Sequence, residues 1–343
     1  MRMTYAFKRT YYALGEPVIV EAEGLTKSYG TTTVLDGVDL HVRRGTVFAL
    51  LGPNGAGKTT TIRILTTLTR PDAGTARVAG HDVVREPTKV RGAISLTGQF
   101  AAVDDQQTGR ENLTVVGRLM HLGGPAARRR AVDLLDRFDL RDAADRRVKT
   151  YSGGMRRRLD LAMSLVSTPE VIFLDEPTTG LDPVSRTTMW DAVRDLVAAG
   201  TTIVLTTQYL EEADRLADTV ALLHEGRVAV SGSTDAVKAR VGGHRLDLGF
   251  TTDHDTTRAA ALLSARRTDA PLALGLPSDG TATHQHHVLD ALRTAGIPVA
   301  TISTHRPTLD DVFIAFTGGQ SPTSPDQAPL DLVTATPYAE DLA

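Results

Sequence analysis

The apolar positions divide the chain into stretches of different character. From Val18 the segments VIVEAEGLTKSYG and VLDGVDLHVRRG predict two strands separated by turn residues. Thr46 to Leu51 is a short apolar run rich in strand formers that ends at Gly52. Past a glycine-rich loop, Ile62, Leu65, Thr66 and Leu68 take a helical spacing. Short strands follow in TARVAG and AISLTG, then a mainly helical stretch from about Arg110 to Asp145. After Ser152 comes a helix, GGMRRRLDLAMSLV, stopped by Pro169, and then a strand, VIFLD. A helix from about Pro183 to Ala199, a strand TTIVLTT, a helix EEADRLAD and a hairpin in VALLHEGRVAVSG complete this part. Strands alternating with helices predict a largely parallel sheet covered by helices.

From about Ala239 the order is strand HRLDLGF, helix TTRAAALLSAR, strand PLALGLP, helix HHVLDALRTAG, strand PVATIST and helix TLDDVFIAF. That βαβαβα series is long enough for a small α+β domain of its own. The segment beyond Gly318 is rich in Pro, Ser, Thr and Asp and predicts disorder. The residues before Pro17 are polar and aromatic without a period, and predict a loosely ordered leader. The expected division is therefore 1–17, 18–238, 239–317 and 318–343.

Composition narrows the function classes. The 343 residues are 41% hydrophobic with 30 glycines, which is ordinary for a globular chain. Lys and Arg number 38 against 41 Asp and Glu, leaving a net charge of −3 and no footprint for wrapping nucleic acid. The absence of Cys excludes disulfides, thiol catalysis and Cys-ligated metal, and fits a reducing compartment. No stretch approaches the roughly 20 apolar residues of a membrane span, so work at a membrane requires another chain to do the spanning. The basic start lacks an apolar core segment and predicts no secretion signal.

Gly52-Pro53-Asn54-Gly55-Ala56-Gly57-Lys58-Thr59 fits the phosphate-loop pattern G-x-x-x-x-G-K-[ST] at every defined position. It lies between a buried strand and a helix, where its mechanism requires it. The glycines let backbone N–H groups turn inward without Cβ clashes, and the helix start adds a partial positive charge. Lys58 supplies a full charge to the β- and γ-phosphates, and Thr59 offers a hydroxyl to Mg²⁺. The loop alone does not say which nucleotide triphosphatase this is.

VIFLDEP puts Asp175 and Glu176 at the C-terminal end of an apolar strand, the edge where ligands of open α/β sheets gather. Adjacent strand residues point to opposite faces, so the two carboxylates take different jobs. Asp175 suits holding Mg²⁺, and Glu176 suits polarising the water that attacks the γ-phosphate. Tyr151-Ser152-Gly153-Gly154-Met155 opens a further helix and forms a second anion nest. As a bare tripeptide Ser-Gly-Gly is only a helix cap. Beside the phosphate loop it suggests a composite nucleotide site shared between two subunits.

Taken together these features resemble the ATP-binding cassette (ABC) ATPases, from about Val18 to Gly232. They are the phosphate loop, Tyr29 in KSYG, Gln99 in LTGQF, the YSGGM signature, the LDEP carboxylates, and Gly180-Leu181-Asp182. The resemblance implies an α/β P-loop nucleotide-binding domain with a mostly parallel core sheet, an antiparallel β subdomain and a helical subdomain, followed by the small α+β domain. It implies ATP and Mg²⁺ as ligands. Tyr29 would stack on adenine, Gly52 through Thr60 would hold the phosphates, and Ser152, Gly153 and Gly154 would close on the ATP of a second subunit. Within that loop Pro53, Asn54, Ala56 and Thr60 are carried over with the motif residues. Gln99 would contact metal, attacking water and the membrane partner, and Asp182 would couple the two sites of a homodimer. Thr59, Gln99 and Asp175 would form the metal set, and Glu176, Gln99 and Gln208 the catalytic one.

The sequence departs from the family at three places. Met155 stands where Gln is usual, Tyr151 where Leu is commoner, and Gln208 where a switch His follows the strand. A Gln donates a hydrogen bond but neither becomes cationic nor shuttles a proton near neutral pH, so hydrolysis is expected to be modest. TTQYLEEAD and the ending RPTLDDVFIAFTG resemble the daunorubicin/doxorubicin-resistance group of drug-export ATPases. That resemblance implies efflux through a separate permease, with the chain held at the cytoplasmic face of the membrane. Other cargoes (lipid, polysaccharide, ion), a soluble non-transport ABC protein and a weakly catalytic ATP-gated module are the alternatives. His284, His286 and His287 lack metal-site spacing, and the runs Arg128 to Arg130 and Arg156 to Arg158 are expected to be solvated helix faces rather than a nucleic-acid surface.

Overall fold

The computed structural model describes residues 17–98, 103–241, 243–268 and 270–318. Gln99, the leader before Pro17 and the tail after Gly318 lie outside the described residues.

The chain opens with a long hairpin, β1 (Val18–Tyr29) and β2 (Thr32–Arg43), and then enters β3 (Val47–Leu51) and α1 (Lys58–Leu65). It continues through β4 (Ala73–Val78), β5 (His81–Asp82), α2 (Pro87–Ala93) and β6 (Ile94–Thr97). Two helices follow, α3 (Gly109–Leu119) and α4 (Gly124–Arg137), and then α5 (Gly153–Ser164). The second α/β stretch is β7 (Val171–Asp175), α6 (Pro183–Ala198), β8 (Thr202–Thr207), α7 (Leu210–Leu216), β9 (Thr219–His224), β10 (Arg227–Ser233) and α8 (Thr234–Lys238). The remainder is β11 (His244–Gly249), α9 (Asp253–Leu263), β12 (Arg266–Arg267), β13 (Ala273–Ser278), α10 (Ala282–Thr294), β14 (Thr301–His305) and α11 (Leu309–Thr317).

The central sheet runs β10-β9-β3-β8-β7-β6, and only β10 is antiparallel to its neighbour. Its strands are short apolar runs because both faces are covered. All five residues of β3 are buried. Alternate side chains feed two cores, as the strand period of two requires. Phe48 and Leu50 join Val20, Leu25, Leu40, Ile62 and Phe173, under the antiparallel sheet β2-β1-β4-β5 and α1. Ala49 and Leu51 join Leu161, Leu174, Trp190, Leu205 and Leu222 on the helical side. Among the described residues no helix is long and apolar enough to cross a membrane.

Two local expectations need correction and a third gains detail. The first helix does not reach Leu68: the chain turns through positive φ at Thr67, the Leu68 and Thr69 amides both donate to Arg63 O, and Leu68 is exposed. The Arg110–Asp145 stretch, expected to be mainly helical, resolves into two helices and one short 3-10 turn, with α3 begun by a reciprocal cap between Thr108 and Glu111. The helix expected to run to Arg266 ends at Leu263, because Ser264 adopts a left-handed conformation and Arg266 and Arg267 pair with Gly275 and Leu274 as β12.

β11, β13, β14 and β12 form an antiparallel sheet whose own core includes Leu246, Leu248, Leu274, Ala259, Val288 and Leu292. The last helix is not part of that core. Leu309, Val312 and Phe313 of α11 are buried in the helical-side core of the central sheet, where α11 packs on α7, α8 and β9.

Candidate active site

The order of the central sheet brings the motif residues together. β3, β8 and β7 are adjacent and parallel, with Leu51 opposite Thr207 and Asp175 opposite Thr206. The phosphate loop, Gln208 and the Asp175–Glu176 pair therefore leave the same edge of the sheet, from three neighbouring strand ends.

The loop's backbone is set by positive φ at Gly52 (153°), Gly55 (83°) and Gly57 (106°). At two of these a side chain has no room. A Cβ on Gly52 would lie 2.3 Å from Leu223 O, and one on Gly57 would lie 2.5 Å from Leu35 Cδ2. Gly55 has open space around it and is required only for its conformation. Lys58 is buried, and its Nζ donates to Gly52 O (2.8 Å) and Pro53 O (3.1 Å). Burial pushes its ammonium below the usual range, opposed by the charges of Glu176 and Asp175. The Ala56 amide donates to Pro53 O, so Asn54 and Gly55 form the tip of the loop. Thr60 sits one residue behind Thr59 in the first turn of α1.

Asp175 is buried, and its Oδ1 receives the Thr206 hydroxyl at 2.5 Å and the Thr59 hydroxyl at 3.4 Å. Thr206 was not visible as a site residue in the sequence. Only the pairing of β7 with β8 places its hydroxyl against the carboxylate. Glu176 has φ +51°, a strained conformation for a residue other than glycine. Its amide donates to Thr206 O (3.1 Å), and its carboxylate accepts from the Thr179 hydroxyl (3.3 Å). Gln208 follows β8 directly and is half-buried beside this edge. The set combines a ring of backbone donors, a lysine, a hydroxyl–carboxylate pair and a second carboxylate. Such a set can hold a polyphosphate and a hard cation and orient a water.

The second half-site lies elsewhere. Ser152 caps α5 by accepting from the Met155 amide (3.2 Å), and Ser152 and Gly153 are exposed. Gly154 is buried, because Ser185 packs where its Cβ would be. Asp182 caps α6, accepting from the Ser185 amide (2.9 Å) and hydroxyl (2.6 Å). No hydrogen bond or ion pair among the described residues joins Ser152 or Asp182 to the phosphate loop. Tyr151 is accommodated by an internal bond. Its hydroxyl donates to Ala143 O (2.7 Å), and Gly109 leaves the space, since a Cβ there would lie 2.4 Å from the Tyr151 hydroxyl oxygen. Tyr29 is exposed at the end of β1, with Lys27 Nζ 5.5 Å from its ring centre.

The family profile described as ABC transporter matches residues 35–179. The chain is 52% identical over 303 residues to the daunorubicin resistance ATP-binding protein DrrA3 of Streptomyces coeruleorubidus, covering 87% of this chain and 96% of that one. This chain belongs to the ABC transporter ATP-binding family. The ABC ATPase is also 51% identical over 305 residues to the daunorubicin/doxorubicin resistance ATP-binding protein DrrA of Streptomyces peucetius, covering 87% and 92%. Among solved structures it is similar to cbiO1 of Clostridium perfringens, part of the ABC transporter complex cbiONQ. That likeness has a TM-score of 0.61 at 27% identity, over 65% of this chain and 92% of that one. The fold and the ATP-hydrolysing class expected from the motifs are those of the family.

One expectation about this ABC ATPase is overturned. The run Arg156 to Arg158 is not a solvated face throughout, because Arg157 is 7% exposed. Its Nε donates to Pro177 O (2.8 Å), and its Nη1 donates to Gly98 O (2.8 Å) and Asp160 Oδ2 (3.2 Å). Arg156 and Arg158 do reach acidic partners nearer the surface, Asp105 and Asp139. The sequence carried a signal for this. Arg157 lies three residues after buried Gly154 and four before buried Leu161, on the inner stripe of α5, with Asp160 one turn on. A second buried titratable group, Glu212 in α7, accepts from Trp190 Nε1 (3.2 Å), and burial pushes its carboxyl above the usual range.

Proposed function

We propose that this ABC ATPase energises efflux of a drug or antibiotic through a separate transmembrane permease, by ATP-driven head-to-tail closure of a homodimer at the cytoplasmic face of the membrane. The observation that carries the reading is the division of the anion-receptive groups. One set stands at the β3-β8-β7 edge, and an exposed helix start at Ser152 and Gly153 has no bond to it among the described residues. Such a split supports a nucleotide completed by a second copy of the chain. The resistance proteins named above share most of the chain with it, which supports the drug as cargo.

In this reading the loop from Gly52 to Thr60 binds the β- and γ-phosphates, with Lys58 supplying charge, and exposed Tyr29 stacks on adenine. Thr59 and Asp175 would hold Mg²⁺. Their oxygens lie 3.4 Å apart, and hard oxygen donors of this kind fit that ion. When bound, the ion offsets charge on the phosphate oxygens. Glu176, aimed by its turn, takes a proton from the attacking water, while Gln208 donates a hydrogen bond. Asp182 couples the two sites through the cap it already makes. A groove of about 680 Å³, lined by Leu119, Met120, Leu122, Arg129, Val166 and others, gives the permease an apolar seat, since Leu119 and Met120 are among the exposed large apolar residues.

The test uses cells that express this chain together with a candidate permease. Expected are ATP hydrolysis lost in Glu176→Gln and daunorubicin accumulation lowered only by the wild-type pair. Hydrolysis equal in wild type and Glu176→Gln would sink the enzymatic part. Unchanged accumulation with intact hydrolysis would sink the cargo.

A further inference from the structure

Glu176 stands in a conformation that its neighbours must enforce. A non-glycine residue at φ +51° is strained and persists only where surrounding bonds fix it. Here the next residue is also a proline, which disfavours helical conformations in the residue before it. The turn is pinned at two points. On one side the Glu176 amide donates to Thr206 O (3.1 Å). On the other the carbonyl of Pro177 accepts from Arg157 Nε (2.8 Å). The same guanidinium holds Gly98 O at the end of β6 (2.8 Å) and is balanced by Asp160. One planar group therefore ties the signature helix α5, the Glu176–Pro177 turn and the β6 end together, away from solvent. A charge is rarely placed at such depth for stability alone, because its desolvation offsets its pairing.

We propose that Arg157 is a positioning residue for hydrolysis: it fixes the Glu176–Pro177 turn, and hence the aim of the Glu176 carboxylate, from the signature helix behind it. The inference rests on Glu176 acting on the attacking water. The fork is what matters, since two carbonyls in different directions are held by two nitrogens of one plane. A lysine keeps the charge beside Asp160 but, with a single nitrogen, does not reproduce the planar fork.

The test compares wild type, Arg157→Lys and the double variant Arg157→Gln/Asp160→Ala. The last removes the buried cation together with its partner. Each is assayed for ATP turnover, KM for ATP and melting temperature. Loss of aim by a fraction of an ångström to an ångström predicts kcat reduced about 10- to 100-fold in both variants, with KM changed less than about threefold. Melting is expected within about 4 °C of wild type in at least one of them. Wild-type kcat in either variant overturns the proposal. So does a Lys variant that loses turnover and melting temperature together when the double variant recovers both, since Arg157 then only balances charge. Failure of the underlying reading appears separately, as wild-type turnover no faster than that of Glu176→Gln.

Discussion

Thr206 offers the sharpest check on how the site is held. Its side chain is fully buried, and its hydroxyl donates to Asp175 Oδ1 at 2.5 Å. Thr206→Val keeps the shape and removes that one bond. The Glu176 amide, which also approaches the hydroxyl at 3.2 Å, keeps Thr206 O as acceptor. The loss is therefore a hydrogen bond to a buried charge, about 1.5–3 kcal/mol. At 2–4 °C per kcal/mol for a domain of this size, melting should fall by roughly 3–12 °C. Thr202→Val is the control at the other end of the same strand. It removes only the acceptor for the Gly45 amide (2.9 Å), a neutral bond of about 0.5–1.5 kcal/mol. Calorimetry and a coupled ATPase assay over a Mg²⁺ titration read both variants. Thr206→Val should need about tenfold more Mg²⁺ for half-maximal turnover, a change worth about 1.4 kcal/mol. Thr202→Val should leave the Mg²⁺ requirement alone. Equal melting and equal Mg²⁺ requirement in the two variants would refute the role given to the hydroxyl.

Gly52→Ala should abolish nucleotide binding in a fluorescent-ATP titration, since its Cβ meets Leu223 O at 2.3 Å, whereas Gly55→Ala, in open space, should weaken binding by only the left-handed cost of about 1–2 kcal/mol. For Glu212 the sign of the pH effect follows from burial. The raised carboxyl pKa makes the folded state hold a proton that the unfolded state releases above about pH 4.5, so this contribution is present at lower pH and is lost as pH rises through the folded value. The melting temperature of Glu212→Gln minus that of wild type should therefore grow more positive from about pH 5 to pH 8, and a flat difference would contradict it. Phe313→Ala empties a buried site in α11 and should cost about 3–5 kcal/mol. Trp190 is the single tryptophan and is buried in the same core, so its fluorescence should report the loss as an earlier urea midpoint, while Leu248→Ala in the terminal sheet should not move it.

What could be read from the sequence was what local chemistry dictates. The phosphate loop follows from glycines between an apolar run and a helix, and the carboxylates from their place at a strand end. The site features missed there depend on which strands become neighbours. Nothing near Thr206 announces that its hydroxyl will face Asp175, because β7 and β8 are far apart in the chain and meet only in the sheet. Glu176 before a proline reads as extended, and its positive φ accompanies long-range bonds of its turn, from the Glu176 amide to Thr206 O and from Arg157 to Pro177 O, that local preference does not contain. Arg157 was hidden by its neighbours, since three arginines in a row look solvated until the helical stripe is followed residue by residue.

The return of α11 has a mechanical consequence. The terminal sheet leaves the cassette after α8 and is sewn back to it by α11, which itself touches α8, so its two attachments stand side by side. A rigid body on one tether turns about three axes. On two adjacent tethers it keeps chiefly the rotation about the line that joins them, like a door on two hinges. The frame of that door is α7, against which α11 packs and which starts two residues after Gln208. The terminal sheet is thus linked, through α11 and α7, to the strand end that carries Gln208.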